Sequence, residues 1–356
     1  MEIGELLVSI LFSAIVSYVL SPTVIRLARK LRLVDDSRIR KHPANIHKGI
    51  VPRAGGVGIY LAILLSAIIL IPMNKLLIGI LLGGFLIVLM GILDDYFDLS
   101  AMSRLIMNII IVAIVILFGL GIPYITNPFG GVIDLQQIKF TYDLFGSHEF
   151  LILSNLFALI WIVALMNFVS WSSGVDGQLS GFTAISSIIL GLVALRFSSH
   201  EISAISVTLL AFIVGGAYAG FLPWHFYPQK IMPGYSGGAL SGYMLGVLSI
   251  LSWGKVGTMA LVLAVPLVDA MYIILRRLIH KQSPFKGDAG HFHHRLMEIG
   301  WGKRRIAVFY WFVSLLFGLS ALYLHQQQKI LALSITVILL AIFIILINRI
   351  KLRSSV

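Results

Sequence analysis

From Leu76 to Leu93 the chain runs eighteen residues without a charge and then meets Asp94-Asp95-Tyr96-Phe97-Asp98. A helix of that length crosses the hydrocarbon core of a bilayer. Ten further apolar runs accompany it, near 4–21, 55–72, 105–122, 150–167, 181–196, 203–221, 237–252, 256–275, 306–324 and 330–348. They are continuously apolar and do not alternate, so they predict helices and not the strands of a barrel. With 58% hydrophobic and 12% charged residues, the chain carries more apolar surface than one soluble fold of 356 residues can bury. The expectation is an all-α, polytopic integral membrane helical bundle of about eleven transmembrane helices, forming one domain over 1–356. Between 123 and 149, Val132–Leu135 and Ile138–Tyr142 are expected to pair as a small extracytoplasmic hairpin.

The positive charges orient such a bundle. No basic residue precedes Arg26, so the first span lacks the basic start of a cleaved signal peptide and is expected to place its N-terminus outside. The loops near 22–54, 94–104, 168–180, 222–236, 276–305 and 349–356 then share one side and hold 22 of the 27 Lys and Arg. That side is read as cytoplasmic, in a cell (inner) membrane. The net charge of +12 therefore gathers beside lipid head groups. No module for nucleic acid accompanies it. With no cysteine, the chain has no disulfide, thiolate nucleophile or cysteine-ligated metal.

The unusual polar clusters fall on this same side. Asp94, Asp95 and Asp98 are three like charges, with Asp94 and Asp98 four apart on one face of a continuing helix. They call for a metal ion, a basic residue or both. Arg38 to Arg53 holds five cations and two histidines and leads into Pro52-Arg53-Ala54-Gly55-Gly56, suited to a phosphate-rich ligand. Asn167 to Gln178 closes a span with Gly174-Val175-Asp176-Gly177, a turn that lets a carboxylate approach a ligand or metal. His291-Phe292-His293-His294-Arg295 favours phosphate over metal, because Arg295 would repel a cation and no His-Glu-x-x-His spacing is present. Asp269, about 10 Å inside the membrane at 1.5 Å per residue, is expected to face inward and be paired, with Arg276 or Arg277 as partner. Singly, these segments can also be read as a helix end, positive-inside anchoring or a capped turn. Together they describe a cytoplasm-facing pocket equipped for phosphoryl transfer beside lipid.

Pro52-Arg53-Ala54-Gly55-Gly56, Gly91-Ile92-Leu93-Asp94-Asp95, Gly174-Val175-Asp176-Gly177, Pro266-Leu267-Val268-Asp269 and His291-Phe292-His293-His294-Arg295 occur in an order that resembles the polyprenyl-phosphate N-acetylhexosamine-1-phosphate transferases. These are the glycosyltransferase family 4 membrane enzymes. The Pro-Arg-x-Gly-Gly element is similar to that of their teichoic-acid and O-antigen initiating branch. The resemblance implies attack of undecaprenyl phosphate on the β-phosphorus of a UDP-N-acetylhexosamine, most simply UDP-GlcNAc, with release of UMP. It implies Mg²⁺, with Mn²⁺ as the alternative, and as partners the lipid phosphate, the UDP-sugar, the membrane and, optionally, a second copy in a homodimer. By carry-over Asp94, Asp95 and Asp176 are catalytic. Arg53, Asn167, Asp269, His291, His293, His294 and Arg295 bind substrate, and Asp94, Asp95, Asp98 and Asp176 hold metal. The other readings are a lipid-phosphate transporter and an inactive relative with the same basic pocket.

Two departures from the family pattern stand out. Ser173 takes the place of the first Asp of the Asn-x-x-Asp-Gly-x-Asp-Gly motif, and Ser170 that of its Asn, unless an insertion leaves Asn167 in that role. In the loop that reads Met-Gly-Asp-x-Gly-Ser in relatives, Tyr235 stands where the metal-ligating Asp belongs. A neutral phenol is a poor Mg²⁺ ligand. The expectation is a working transferase whose metal coordination is rebuilt from the four remaining aspartates.

Overall fold

The computed structural model describes residues 3–38, 49–127, 131–143, 147–196, 202–252, 256–283 and 290–354. Most of the basic stretch between Arg38 and Arg53, with both of its histidines, lies outside the described residues. Each apolar run is occupied by helix. In chain order these are α1 (Ile3–Lys30), α2 (Gly55–Leu70), α3 (Lys75–Phe97), α4 (Ala101–Leu117), α5 (Ile152–Trp171), α6 (Gln178–Leu195), α7 (Ile202–His225) and α8 (Gly234–Leu251). There follow α9 (Val256–Val262), α10 (Ala264–Ile279), the short α11 (Phe292–Glu298), α12 (Lys303–Tyr323) and α13 (Gln326–Ser354).

Six helices are long and apolar enough to cross a membrane among the described residues, and α9 with α10 make a seventh if that pair, bent by 83°, is one span. The count of eleven is therefore not established by length and apolarity. α8 shows why the two measures part. It is among the most enclosed helices, with Ser236 through Ile250 all buried, yet glycine, serine and tyrosine dilute its apolarity. A helix wrapped by other helices meets little lipid, and small residues there let neighbouring backbones approach.

The same logic joins α1 to α7. Ser9, Ser13, Ser17 and Ser21 form a buried stripe at four-residue spacing, while Leu7, Leu11, Ile15 and Val19 lie on the exposed side. A side chain added at Gly220 of α7 would strike the Ala14 backbone, so α1 and α7 touch almost backbone to backbone.

α3 carries the acidic junction. Its N-terminus is capped by Asn74, whose side chain accepts from Leu77 N at 2.8 Å. Ile78, Leu82, Phe85, Leu89 and Leu93 form the outward stripe, whereas Ile80, Gly84, Ile87 and Gly91 face inward, and Asp94 continues that inward row. Tyr60 of α2 and Tyr243 of α8 donate to the Leu81 and Ile80 carbonyls at 2.9 and 3.0 Å, pinning the helix in rotation and height. α3 ends at Phe97, and Asp98 adopts a left-handed conformation with φ 52°. The helix therefore does not continue through Asp98 as expected, and Asp98 is exposed rather than stacked below Asp94.

Small hairpins decorate the bundle. β1 (Val34–Asp36) pairs antiparallel with β2 (Ile50–Pro52). In the 123–149 region, β3 (Tyr124–Thr126) pairs with β4 (Val132–Asp134), and β5 (Lys139–Asp143) with β6 (Ser147–Leu151). Two hairpins thus replace the expected pairing of Val132–Leu135 with Ile138–Tyr142. The two residues between those segments, Gln136-Gln137, are long enough for a tight turn but are not the Gly, Asn or Asp that such a turn favours, and each segment pairs on its far side instead.

Candidate active site

Five of the segments sorted together by charge meet around one cleft, the exception being the 349–356 tail, whose side chains lie outside the described residues. The clamp begins at Pro52-Arg53-Ala54-Gly55-Gly56: Met232 N donates to the Pro52 carbonyl at 2.7 Å, and Gly55 N and Gly56 N donate to Met232 and Pro233 at 3.0 and 2.9 Å. Gly234 has φ +70° and lies so close to the Arg53 carbonyl and the Asp95 carboxylate that no side chain fits there. The start of α8 is thereby pressed onto the acidic end of α3.

Around this joint is a cleft of about 240 Å³, lined by Asp35, Arg53, Asp94, Arg104, Ser170, Ser173, Gly174, Val175, His225, Gln229 and the Met232–Tyr235 loop. Both Asp94 oxygens lie 3.3 Å from Nη1 of Arg104. Arg53 Nη2 stands 3.0 Å from Asp95 Oδ1, and Arg53 Nη1 is 4.0 Å from Asp35. The Asp95 side chain is fully buried, and although it is ion-paired neither of its oxygens has an aligned hydrogen-bond donor. Tyr235 completes this wall: its hydroxyl accepts from Asn108 Nδ2 at 2.9 Å, and the Arg104 guanidinium lies 5.1 Å over its ring.

Asp176 is buried and held from two directions, by Lys303 Nζ at 3.1 Å and by Gln229 N at 3.3 Å. Trp311 Nε1 donates to the Gly177 carbonyl at 3.2 Å, so α12 fixes this turn.

The histidine segment packs behind Gly174, where a side chain would collide with the His293 ring. Asp269 faces inward and is paired, but with His291 and not with the expected Arg276 or Arg277: His291 Nδ1 is 3.0 Å from Oδ2, and Phe292 N donates to Oδ1 at 2.8 Å. Asp269 thereby ties the bent α10 to the start of α11. The His291 and His293 rings stack with centroids 5.7 Å apart, and His294 lies 4.3 Å from His293. Burial, and then the neighbouring His294 and His291, pushes His293 well below the ordinary imidazole range, so it is held neutral. Arg295 donates to the Gly290 carbonyl at 2.9 Å and to the Tyr272 hydroxyl at 3.3 Å.

Asn167 is placed elsewhere. Its side chain donates to the Val163 carbonyl of its own helix at 2.8 Å, and it lines an apolar groove of about 420 Å³ with Leu105, Ile109, Phe168 and Trp171. Ser170 and Ser173, not Asn167, occupy the cleft wall. Nor do Asp94, Asp95, Asp98 and Asp176 form the expected metal set. Among the described residues no three His, Asp or Glu side chains gather as a metal site. Asp94, Asp95 and Asp176 each face a cation of the chain, a divalent ion beside Asp94 would be repelled by Arg104, and Tyr235 offers a phenol. These donors do not fit a resident Mg²⁺. The sequence reading missed Arg104, Lys303 and Asn108. Arg104 was legible as the one basic residue of the 94–104 loop, whereas Asn108 looks like any polar interruption of a span.

Long apolar helices closing over a charged cleft at one end define an integral membrane enzyme working at the lipid boundary. The family model described as Glycosyl transferase family 4 matches residues 77–253, about half of the chain. The chain is 28% identical to a probable undecaprenyl-phosphate N-acetylglucosaminyl 1-phosphate transferase of Bacillus subtilis, over 94% of this chain and 89% of that one. It is 27% identical to a decaprenyl-phosphate N-acetylglucosaminephosphotransferase of Mycobacterium leprae, covering 87% and 82%. With a phospho-N-acetylmuramoyl-pentapeptide-transferase of Bacillus subtilis it shares 26% identity, covering 90% and 98%. The chain belongs to the polyprenyl-phosphate N-acetylhexosamine-1-phosphate transferases of glycosyltransferase family 4, which are phosphoglycosyl transferases.

Proposed function

We propose that this protein transfers N-acetylglucosamine 1-phosphate from UDP-GlcNAc to undecaprenyl phosphate at the cytoplasmic face of the cell membrane, releasing UMP and starting a cell-envelope glycan. The observation that carries this reading is the pairing of Asp94 with Arg104 and Asp95 with Arg53 at one cleft, one residue from the apolar groove that begins at Leu105. Two guanidiniums suit a phosphate-rich pair of reactants, and an adjoining apolar surface suits a substrate that is itself a lipid. The higher-identity relatives carry N-acetylglucosamine in their names, which supports that sugar over a muramoyl pentapeptide.

In this reaction an oxygen of the lipid phosphate attacks the β-phosphorus. The bond from that phosphorus to the bridging oxygen breaks, and its electrons leave on UMP. A phosphate monoester is already largely deprotonated near neutral pH, so no strict general base is required. Arg53 and Arg104 lower the repulsion between the two phosphate groups, which is where most of the acceleration of phosphoryl transfer arises. Asp94 and Asp95 hold the two guanidiniums in place. Asp176 with Lys303 orders the Gly174–Gly177 turn, and the buried histidines support it from behind. The donors present do not fit the Mg²⁺ or Mn²⁺ that the family resemblance implies, so the positive charge comes from Arg53 and Arg104.

Purified protein incubated with undecaprenyl phosphate, UDP-GlcNAc and Mg²⁺ is expected to release UMP. Asp95→Asn is expected to lower that release by about 100-fold or more. Measurable nucleotide binding with no UMP from any UDP-N-acetylhexosamine would rule the transferase out, and full turnover in Asp95→Asn would remove Asp95 from the machinery.

A further inference from the structure

We propose that the reaction centre of this chain works without a resident divalent ion, with the Arg104 guanidinium in the place of the metal. The inference rests on the transferase reading above and goes beyond it by naming the group that supplies positive charge to the diphosphate.

Several independent contacts converge on it. Arg104 reaches both oxygens of Asp94, so that carboxylate's lone pairs are turned toward a fixed cation. The other face of the same guanidinium rests over the Tyr235 ring. Tyr235 cannot drift, because its hydroxyl is held by the fully buried Asn108. The residue at the site where relatives place a metal-ligating carboxylate is therefore a strut for an arginine. Asp95 and Asp176, the remaining buried carboxylates near the cleft, face Arg53 and Lys303. Asp35 shares Arg53 at 4.0 Å, so each of these four carboxylates already faces an arginine or lysine of the chain before any ligand enters. A divalent ion would have to displace a paired arginine or lysine to gain one carboxylate, whereas a diphosphate gains guanidinium donors directly.

Chemically the substitution is sufficient. The bridging oxygen of the departing UMP gains negative charge as its bond to the β-phosphorus breaks, and a planar guanidinium can donate two hydrogen bonds to that charge. No proton need be transferred, so the atoms balance with lipid phosphate and UDP-sugar in, and lipid diphospho-sugar and UMP out. Arg104 is some 30% exposed, which leaves part of its fork open to the cleft.

The test uses the full chain in detergent after metal stripping. UMP release is measured with Mg²⁺ and with EDTA, and Mn²⁺ binding is titrated separately by the loss of the free-ion paramagnetic resonance signal. Equal turnover in both buffers and no stoichiometric Mn²⁺ uptake are expected. Arg104→Gln should reduce turnover about 100-fold in either buffer, with Arg104→Lys recovering part of it. Tyr235→Asp is expected to acquire one Mn²⁺ that the parent does not bind. Release that EDTA abolishes and Mg²⁺ restores, or one Mn²⁺ bound by the parent, overturns the inference while leaving the transferase reading intact. No release in either buffer defeats the transferase reading, and this inference with it.

Discussion

Arg53 and Asp95 illustrate what a buried pair asks of a membrane enzyme. The Asp95 side chain has no solvent contact, and Arg53 is 15% exposed. Removing the cation leaves a carboxylate buried and uncompensated, a change that destabilises by about 3–5 kcal/mol. Arg53→Gln is therefore expected to lower the thermal midpoint by far more than neutralising both members together, and a double-mutant cycle with Asp95→Asn measures the difference. His293 gives a pH dependence with a definite sign. Its imidazole is depressed in the folded chain, so below the ordinary histidine value of about 6.5 the unfolded state binds the proton that the folded state refuses. Stability is thus expected to be full above that value and to fall as the solution is acidified. In His293→Gln the slope of melting temperature against pH should flatten; an unchanged slope would place the acid sensitivity elsewhere. The motif residues at this scale were legible from spacing and residue type. Of their partners, Arg104 lay within reach of the sequence, ten positions beyond Asp94, whereas Lys303 and Asn108 did not, because they meet Asp176 and Tyr235 across 127 positions of chain.

At the scale of elements, small residues decide where helices meet. The serine stripe of α1 and Gly220 of α7 bring two backbones together, and lipid offers no hydrophobic drive to restore that contact once it is wedged apart. Gly220→Leu is expected to lower the melting temperature in detergent and to broaden the size-exclusion peak; an unaltered protein would show that α1 docks by other means. The helices themselves could be read from apolar length alone. The end of α3 could not, because Asp98 is one of the few residue types that tolerates a left-handed turn and so stops the helix that its spacing from Asp94 had extended. The bend between α9 and α10 was equally hidden. It lets Asp269 reach the start of α11. Asn167 and Ser170 lie on the same helix within one turn, and only rotation about its axis decided which of them reached the cleft.

For the whole molecule, charge sorting placed six segments on one side; four of them line a single cleft, and a fifth packs behind it through His293 and Lys303. The absence of cysteine from the chain makes the orientation directly testable. A cysteine introduced at exposed Ser100 is expected to resist a membrane-impermeant maleimide in intact cells, and one at exposed Gln136 to react. The opposite pattern reverses the topology. The sequence by itself determined the helical class, the membrane setting, the family and the clustering of polar motifs on one face, since each follows from apolar run length, charge bias or residue order. Only the tertiary structure decided which polar residues neutralise one another. Coulombic partnership depends on distances of a few ångströms between segments far apart in the chain, and no local pattern encodes them. That is why the aspartates at the end of α3 read as a metal site in one dimension and stand as two arginine-paired carboxylates in three.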